Sequence, residues 1–331
     1  MVIPGGTFLT SPVVFQGPCK STEPIVFEVQ GNVKATTDLS EYSSEQWILF
    51  EIIDGLTLNG GGTFDGQGSA VWKYNDCHEN KLQSIKLSKV KNAFVHEISS
   101  VDSKYFHMHV TSCHSISIHN INLTAPANSP NTDGIHISFS DGVHVTSSKI
   151  GTGDDCVSIG QGSTNILISQ VFCGPGHGLS VGSLGKYKNE EDVSGIVVTN
   201  CTLFNTTNGV RIKSYTASDP SQAFNITFKD ITMDSVKNPI IIDQKYGSRN
   251  AACSVQPSRV KISNVHYQNI KGTTTSNVAV SFLCSSSVPC QGVELVDIDL
   301  AYIGQKANMP LSSSCLNANV KSGGKQNPGC N

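Results

Sequence analysis

The chain has 331 residues, of which only 15% are charged, and a formal net charge of −3. That balance excludes whole-molecule attraction to nucleic acid or to an anionic membrane surface, and no apolar run approaches the roughly 18 residues of a membrane span. Thirty glycines and many Val, Ile, Ser, Thr and Asn, without a sustained 3.6-residue apolar period, predict an all-β chain.

The chain begins MVIPGGTFLT, inside a strand-and-turn pattern, with no basic n-region and no apolar leader ahead of it. Short strand patterns then follow: WILFEIIDGLTLNGGGTFDG, AFVHEISSVDS, SISIHNINLTAP, GVHVTSSKIGTG, NILISQVFCGPG, GIVVTNCTLFNT, NITFKDITMDSV, RVKISNVHYQNI and GVELVDIDL. Each is a few alternating apolar positions closed by Asn, Asp, Gly or Ser. A period in the low twenties with insertions predicts a parallel β-solenoid of about ten coils, because such a unit buries its apolar face only by stacking on the next. A β-sandwich would want hairpin turns at shorter, regular spacing.

Four segments align: DGIHIS (133 to 138), DCVSIG (155 to 160), HGLSVG (177 to 182) and NGVRIK (208 to 213). Ile135, Val157, Leu179 and Val210 share one inward column, and Ile137, Ile159, Val181 and Ile212 share another. The period of two then sends His136, Ser158, Ser180 and Arg211 outward, with Ser138, Gly160, Gly182 and Lys213 beside them. At the starts of these strands stand Asp133, Asp155 and His177, 22 residues apart each time, with Asn208 next. At an inter-strand spacing of about 4.8 Å, polar groups from consecutive coils would gather on one face, with serines and glycines as a low floor for an extended ligand.

Taken singly, each residue has a plainer reading. An Asp at a strand start is usually a turn residue, and a lone His or Arg on a strand face is usually solvated. The adjacent pair Asp154 and Asp155 fits a metal site, an acid/base pair or a turn. The coincidence of acids, His177, Arg211 and Lys213 across four aligned segments favours chemistry over capping.

Eleven cysteines predict an oxidising compartment, with Cys156 spaced to bridge Cys173, Cys284 to bridge Cys290 and Cys315 to bridge Cys330. No CxxC pair supports a structural zinc. Cys113 and Cys201 lie in apolar strand patterns and read as buried thiols, while Cys19 and Cys77 lack an evident mate. Four N-glycosylation sequons start at Asn122, Asn200, Asn205 and Asn225.

The motifs NTDG (131 to 134), GDDC (153 to 156), GHG (176 to 178) and RIK (211 to 213), in that order, resemble the polygalacturonases, or pectinases, of glycoside hydrolase family twenty-eight. The resemblance runs through almost the whole chain. SPNTDGIHI, GPGHGLSVGSLG and NGVRIKSY look like the plant branch, and HMHVTSCHSISIHNINLTAP and VPCQGVELVDIDL look closest to its pollen-type exo-acting members. It implies a right-handed parallel β-helix, with residues 1–331 forming one hydrolase domain that hydrolyses α-1,4-linked galacturonan with inversion. Asp154 would then be the general acid, Asp133 and Asp155 would activate water, and His177 would support the acid's protonation state. Arg211 and Lys213 would bind substrate carboxylates, with Tyr246 and Asn131 lining the site. Inverting chemistry needs acid and base about 6.5 to 9.5 Å apart, and crowding of carboxyls favours one keeping its proton.

The resemblance further implies a secreted, extracellular plant cell-wall enzyme that acts on pectin, without cofactor or metal and as a monomer. Exo action is expected, with endo action as the alternative. The family's signal peptide and amino-terminal cap do not precede MVIPGG, so the first coil is expected to expose a sheet edge and core side chains. Two remote alternatives are a calcium-dependent pectate lyase using Asp133, Asp154 and Asp155 as ligands, and an inactive β-solenoid that binds wall polysaccharide.

Overall fold

The structure, a computed structural model, describes residues 1–20, 23–74, 81–247, 256–305 and 309–330, so Cys77 lies outside the described residues. Among them there is no α-helix, only strands and two short 3-10 turns at Leu39–Glu41 and Gly68–Ala70. By its internal contacts the chain divides into two units, Met1–Val157 and Ser158–Asn331.

In the first unit the strands Val13–Gln16, Gln46–Glu51, Gln83–Ser88, Met108–Thr111 and Ile135–Ser138 pair in parallel, each with the next. The second unit repeats this with Leu179–Leu184, Asn208–Tyr215, Asn238–Tyr246, Val278–Leu283 and Ser312–Leu316. The remaining strands of each coil pair in parallel in the same way, and the fold is the predicted right-handed parallel β-helix.

The bends follow from residues that tolerate left-handed backbone. Between paired strands, Asn92, Ser115 and Gly142 occupy equivalent bends at φ 52°, 57° and 68°. In the second unit Gly195, Asn225, Asn264 and Gly292 do the same, and Asn264 Nδ2 donates to Asn225 Oδ1 at 2.5 Å. A short amide side chain accepts this conformation at low steric cost, which explains why Asn and Gly close so many strand patterns. All four sequon asparagines are exposed.

Inward columns form the core. Ile85, Met108 and Ile135 are in register and buried, as are Leu87, Val110 and Ile137. In the second unit Leu179 pairs with Val210 and Val181 with Ile212, and the rings of Phe228, Tyr267 and Phe282 stack at 5.2 and 5.6 Å. Each such burial contributes about 1.5–3 kcal/mol, against about 0–1 kcal/mol for an exposed pair such as Lys325 with Asp299. Apolar ladders therefore hold the coils together.

Several apolar side chains of the first coil are exposed. Leu9 is 71% and Met1 67% exposed, and a cavity of about 330 Å³ opens among Ile3, Phe8, Val13, Phe15 and Phe27.

Disulfides join Cys284 to Cys290 and Cys315 to Cys330, and Cys156 and Cys173 are each disulfide-bonded. Cys113 and Cys201 are buried free thiols, both pushed up to about 11 by burial, which suppresses thiolate chemistry. Among the described residues Cys19 has no disulfide partner, and it is exposed.

His107 lies wholly inside the core, its Nδ1 2.9 Å from Ser100 Oγ and its Nε2 without a hydrogen-bond partner among the described residues. Burial pushes this imidazole down from 6.5 to about 3. The unfolded chain takes up that proton near 6.5 and the folded chain does not, so stability present above pH 6.5 is lost as pH falls toward 3. Urea unfolding of the parent should show this as a slope of up to about 1.4 kcal/mol per pH unit, and His107→Gln should flatten it. Equal slopes in both proteins would remove His107 as the cause.

Candidate active site

In the first unit two turns carry the acids. Ser129 Oγ donates to Pro126 O at 2.7 Å and lies 2.6 Å from Thr132 Oγ1, which accepts the Gly153 N–H at 2.9 Å. The NTDG turn is thereby tied to the GDDC turn of the next coil. Both glycines are demanded by that approach: a β-carbon on Gly153 would run into Ser129 O, and one on Gly134 would meet Cys156 O and the Ile150 side chain.

Gly134 N donates to Asp155 O at 2.9 Å and Ile135 N to Cys156 O at 3.0 Å, so Asp133 and Asp155 hold the same position in successive coils. Asp133 is 6% and Asp155 1% exposed. Asp154, half-buried, turns out of that row, and its Oδ1 accepts the Asp155 N–H at 2.8 Å. Two nearly buried carboxyls in line and a third, more accessible one beside them give unequal environments to like groups, the arrangement from which different acid and base duties arise. Asn131 is exposed, at φ 49°, in the turn ahead of Thr132.

In the second unit His177 is half-buried between two glycines. Gly176 O accepts the Thr207 N–H at 2.8 Å, and Gly178 at φ 90° leaves no room for a β-carbon beside Asn208 O and Gly209 O. Leu179 pairs with Val210, which puts Ser180 level with Arg211, while Gly176 pairs with Thr206, so the later strand carries one extra residue between these two pairings, alongside His177. Arg211 Nε donates to Ser180 Oγ at 3.1 Å, which braces one edge of the guanidinium.

The outward columns depart from regular pairing between Leu179–Leu184 and Asn208–Tyr215, and again after Lys213. After Val181 and Ile212 the register shifts, Gly182 stands at φ 109°, and a β-carbon there would run into Lys213 O. Lys213 is only 6% exposed; its Nζ lies 5.2 Å over the ring of Tyr246, which meets Tyr215 edge-on at 5.2 Å. The structure thus brings Tyr246 to Lys213 and covers a cation that period-two reasoning leaves on an open surface.

Sequence reasoning missed an aromatic group one coil ahead of Asp133. His107 N donates to Asp133 O at 2.8 Å and Met108 N to Gly134 O at 2.9 Å, so Phe106 takes in its coil the position that Asp133 and Asp155 take in theirs. Phe106 stacks on His136 at 4.9 Å and meets His109 edge-on at 6.0 Å, with Tyr105 at 4.1 Å. Burial first, then His136 and Lys86, hold the His109 imidazole well below its ordinary range. The only signal for this group is the run YFHMHV, which has Phe106 where the aligned segments start with Asp, His or Asn.

The sequence profile of glycosyl hydrolases family 28 matches residues 1–324. An exopolygalacturonase of Arabidopsis thaliana is 52% identical over 338 residues, covering 98% of this chain and 78% of that protein. An exopolygalacturonase of Platanus acerifolia is 45% identical over 333 residues, covering 99% of this chain and 88% of that one. Among solved structures, an endo-xylogalacturonan hydrolase from Aspergillus tubingensis superposes with a TM-score of 0.80 at 22% identity, covering 96% of this chain and 91% of that one. A hyperthermoactive exopolygalacturonase from Thermotoga maritima does so at 0.80 and 18%, covering 97% and 82%. At such identities the two structures share the fold with this chain.

The close approach at Gly153 can be tested directly. Gly153→Ala should destabilise the protein by about 1–3 kcal/mol through overpacking against Ser129, read from the denaturant midpoint. An unchanged midpoint would mean the turn has room for the methyl group.

Proposed function

Because the chain belongs to glycosyl hydrolases family 28, we propose that it hydrolyses the α-1,4 bonds of polygalacturonate with inversion, releasing galacturonate from chain ends. The observation that carries the reading is the acid row: Asp133 and Asp155 at one coil position and Asp154 offset beside them. The exopolygalacturonase relatives support the substrate and the exo mode. On this reading residues 1–331 act as one hydrolase domain.

Asp154, the more accessible carboxyl, protonates the departing glycosidic oxygen. Asp133 and Asp155 hold a water on the opposite face of the sugar and take its proton as it attacks the anomeric carbon. The bond to the leaving oxygen breaks as the bond to water forms, so configuration inverts. His177 supports the protonation state of the acid.

A polyuronate brings negative charge toward three carboxyls, so binding needs cations that lose little on desolvation. Arg211 arrives already oriented by Ser180, and Lys213 is already withdrawn from water beneath Tyr246. Asn131, exposed at its turn, contributes a polar contact to the sugar. The disulfides suit a protein secreted to the cell wall, and the substrate partner is pectin, met by a monomer.

The test is hydrolysis of polygalacturonate in the presence of chelator, followed by reducing-end release and product size. Galacturonate should appear alone from the earliest times, and chelator should change nothing. Loss of activity with chelator and an unsaturated product would instead indicate elimination. Asp154→Asn should lower the rate by about 10²- to 10⁴-fold; a variant within a few-fold of the parent would displace Asp154 as the acid. Lys213→Ala should raise KM by about 10-fold or more, the equivalent of one charged hydrogen bond, with a smaller effect on kcat. An unchanged KM would refute its role on the substrate carboxylate.

A further inference from the structure

The row that carries Asp133 and Asp155 does not continue as open floor in the coil before them. Its place there is taken by Phe106, as the hydrogen bonds from His107 N to Asp133 O and from Met108 N to Gly134 O require. The Phe106 ring is fixed on three sides. His136 stacks against it at 4.9 Å and 30° between planes, His109 meets it edge-on at 84°, and Tyr105 lies 4.1 Å away. The rings beneath are themselves held. His109 Nδ1 is 3.0 Å from Gln83 Oε1 and its Nε2 3.3 Å from Ser138 Oγ, and the two imidazoles are 5.1 Å apart. His109 and His136 are in register on one outward column, so Phe106 sits as a second layer upon them.

We infer that the Tyr105–Phe106 pair, seated on His109 and His136, is a wall that ends the sugar-binding face immediately ahead of Asp133 and so confines hydrolysis to chain ends. The inference rests on the polygalacturonase reading and names the specificity determinant of that site. Coils repeat at about 4.8 Å, close to the length of one sugar unit in an extended chain. A polygalacturonate chain lying along the acid row meets, one unit past Asp133, a ring layer where a continuing chain needs space. The ring is also a poor neighbour for a uronate carboxylate, since an aromatic face carries negative charge density. Tyr105, Phe106, His109 and His136 are each only partly exposed, so the rings are packed against the body of the coil.

The experiment compares the products of the parent, Phe106→Ala, Phe106→Leu and Phe106→Trp on polygalacturonate, with reducing ends and viscosity followed together. The parent should release galacturonate alone with a slow fall in viscosity. Phe106→Ala should open the face, giving oligomers of mixed length and a viscosity fall several-fold faster per bond cleaved. Phe106→Trp, which keeps the bulk, should retain monomer release. Should the alanine variant lose its native circular dichroism, Phe106→Leu, which keeps apolar packing without the ring, takes its place. Monomer as the sole product of a folded Phe106→Ala or Phe106→Leu variant overturns the wall. A parent protein inert on polygalacturonate overturns the underlying reading, and a parent that yields mixed oligomers from the start overturns the wall while leaving polygalacturonate hydrolysis standing.

Discussion

Backbone hydrogen bonding between successive coils is the constraint on which the rest of this structure depends. It holds neighbouring strands about 4.8 Å apart, so whatever stands at one position of a coil is brought against the same position of the next. Inward, this makes ladders of Ile, Val and Leu whose burial outweighs every surface ion pair. At the bends it calls for residues that accept positive φ, which is why Asn, Ser and Gly interchange at equivalent places such as Asn92, Ser115 and Gly142. Outward, it lines up side chains of like position and so collects charges that a chain with few of them would otherwise scatter.

The same spacing sets the chemical environment of the acids. Gly134 and Gly153 let adjoining turns come together until Asp133 and Asp155 are nearly out of water while Asp154 keeps access to it. Carboxyls of one kind are thereby made unequal without any unusual residue. In the second unit a register shift at Gly182 and the ring of Tyr246 withdraw Lys213, and a hydroxyl from the preceding coil orients Arg211. Cations prepared in this way lose less on meeting a carboxylate than freely solvated ones. On the inference drawn above, the open face ends where the acid row bears a large side chain, the ring layer at Phe106.

Much of this was legible in the chain. Alternation and repeat spacing showed parallel coils and the inward columns, because a ladder needs the same apolar type at the same place in each coil. The row of Asp133 and Asp155 was legible for a related reason: no insertion separates their coils beyond the common 22 residues. The disulfides at Cys284–Cys290 and Cys315–Cys330 and the buried thiols of Cys113 and Cys201 followed from local context. The burial of Lys213 did not, because the period-two rule assumes an unbroken register and the strand breaks it at Gly182.

The chain by itself therefore determined the coil type, the core, the identity of the acids and cations and their order. Each is a property of residues that repeat at fixed separation. Tertiary structure alone decided which of those groups are withdrawn from water and where the open face ends. Phe106 belongs to the acid row only through its hydrogen-bonded register, 27 residues ahead of Asp133 (133 − 106) instead of 22, and it becomes a barrier only by stacking on His136 from the following coil. Contacts of that kind depend on the third dimension, because insertions in the turns change the separation along the chain without changing the spacing between coils.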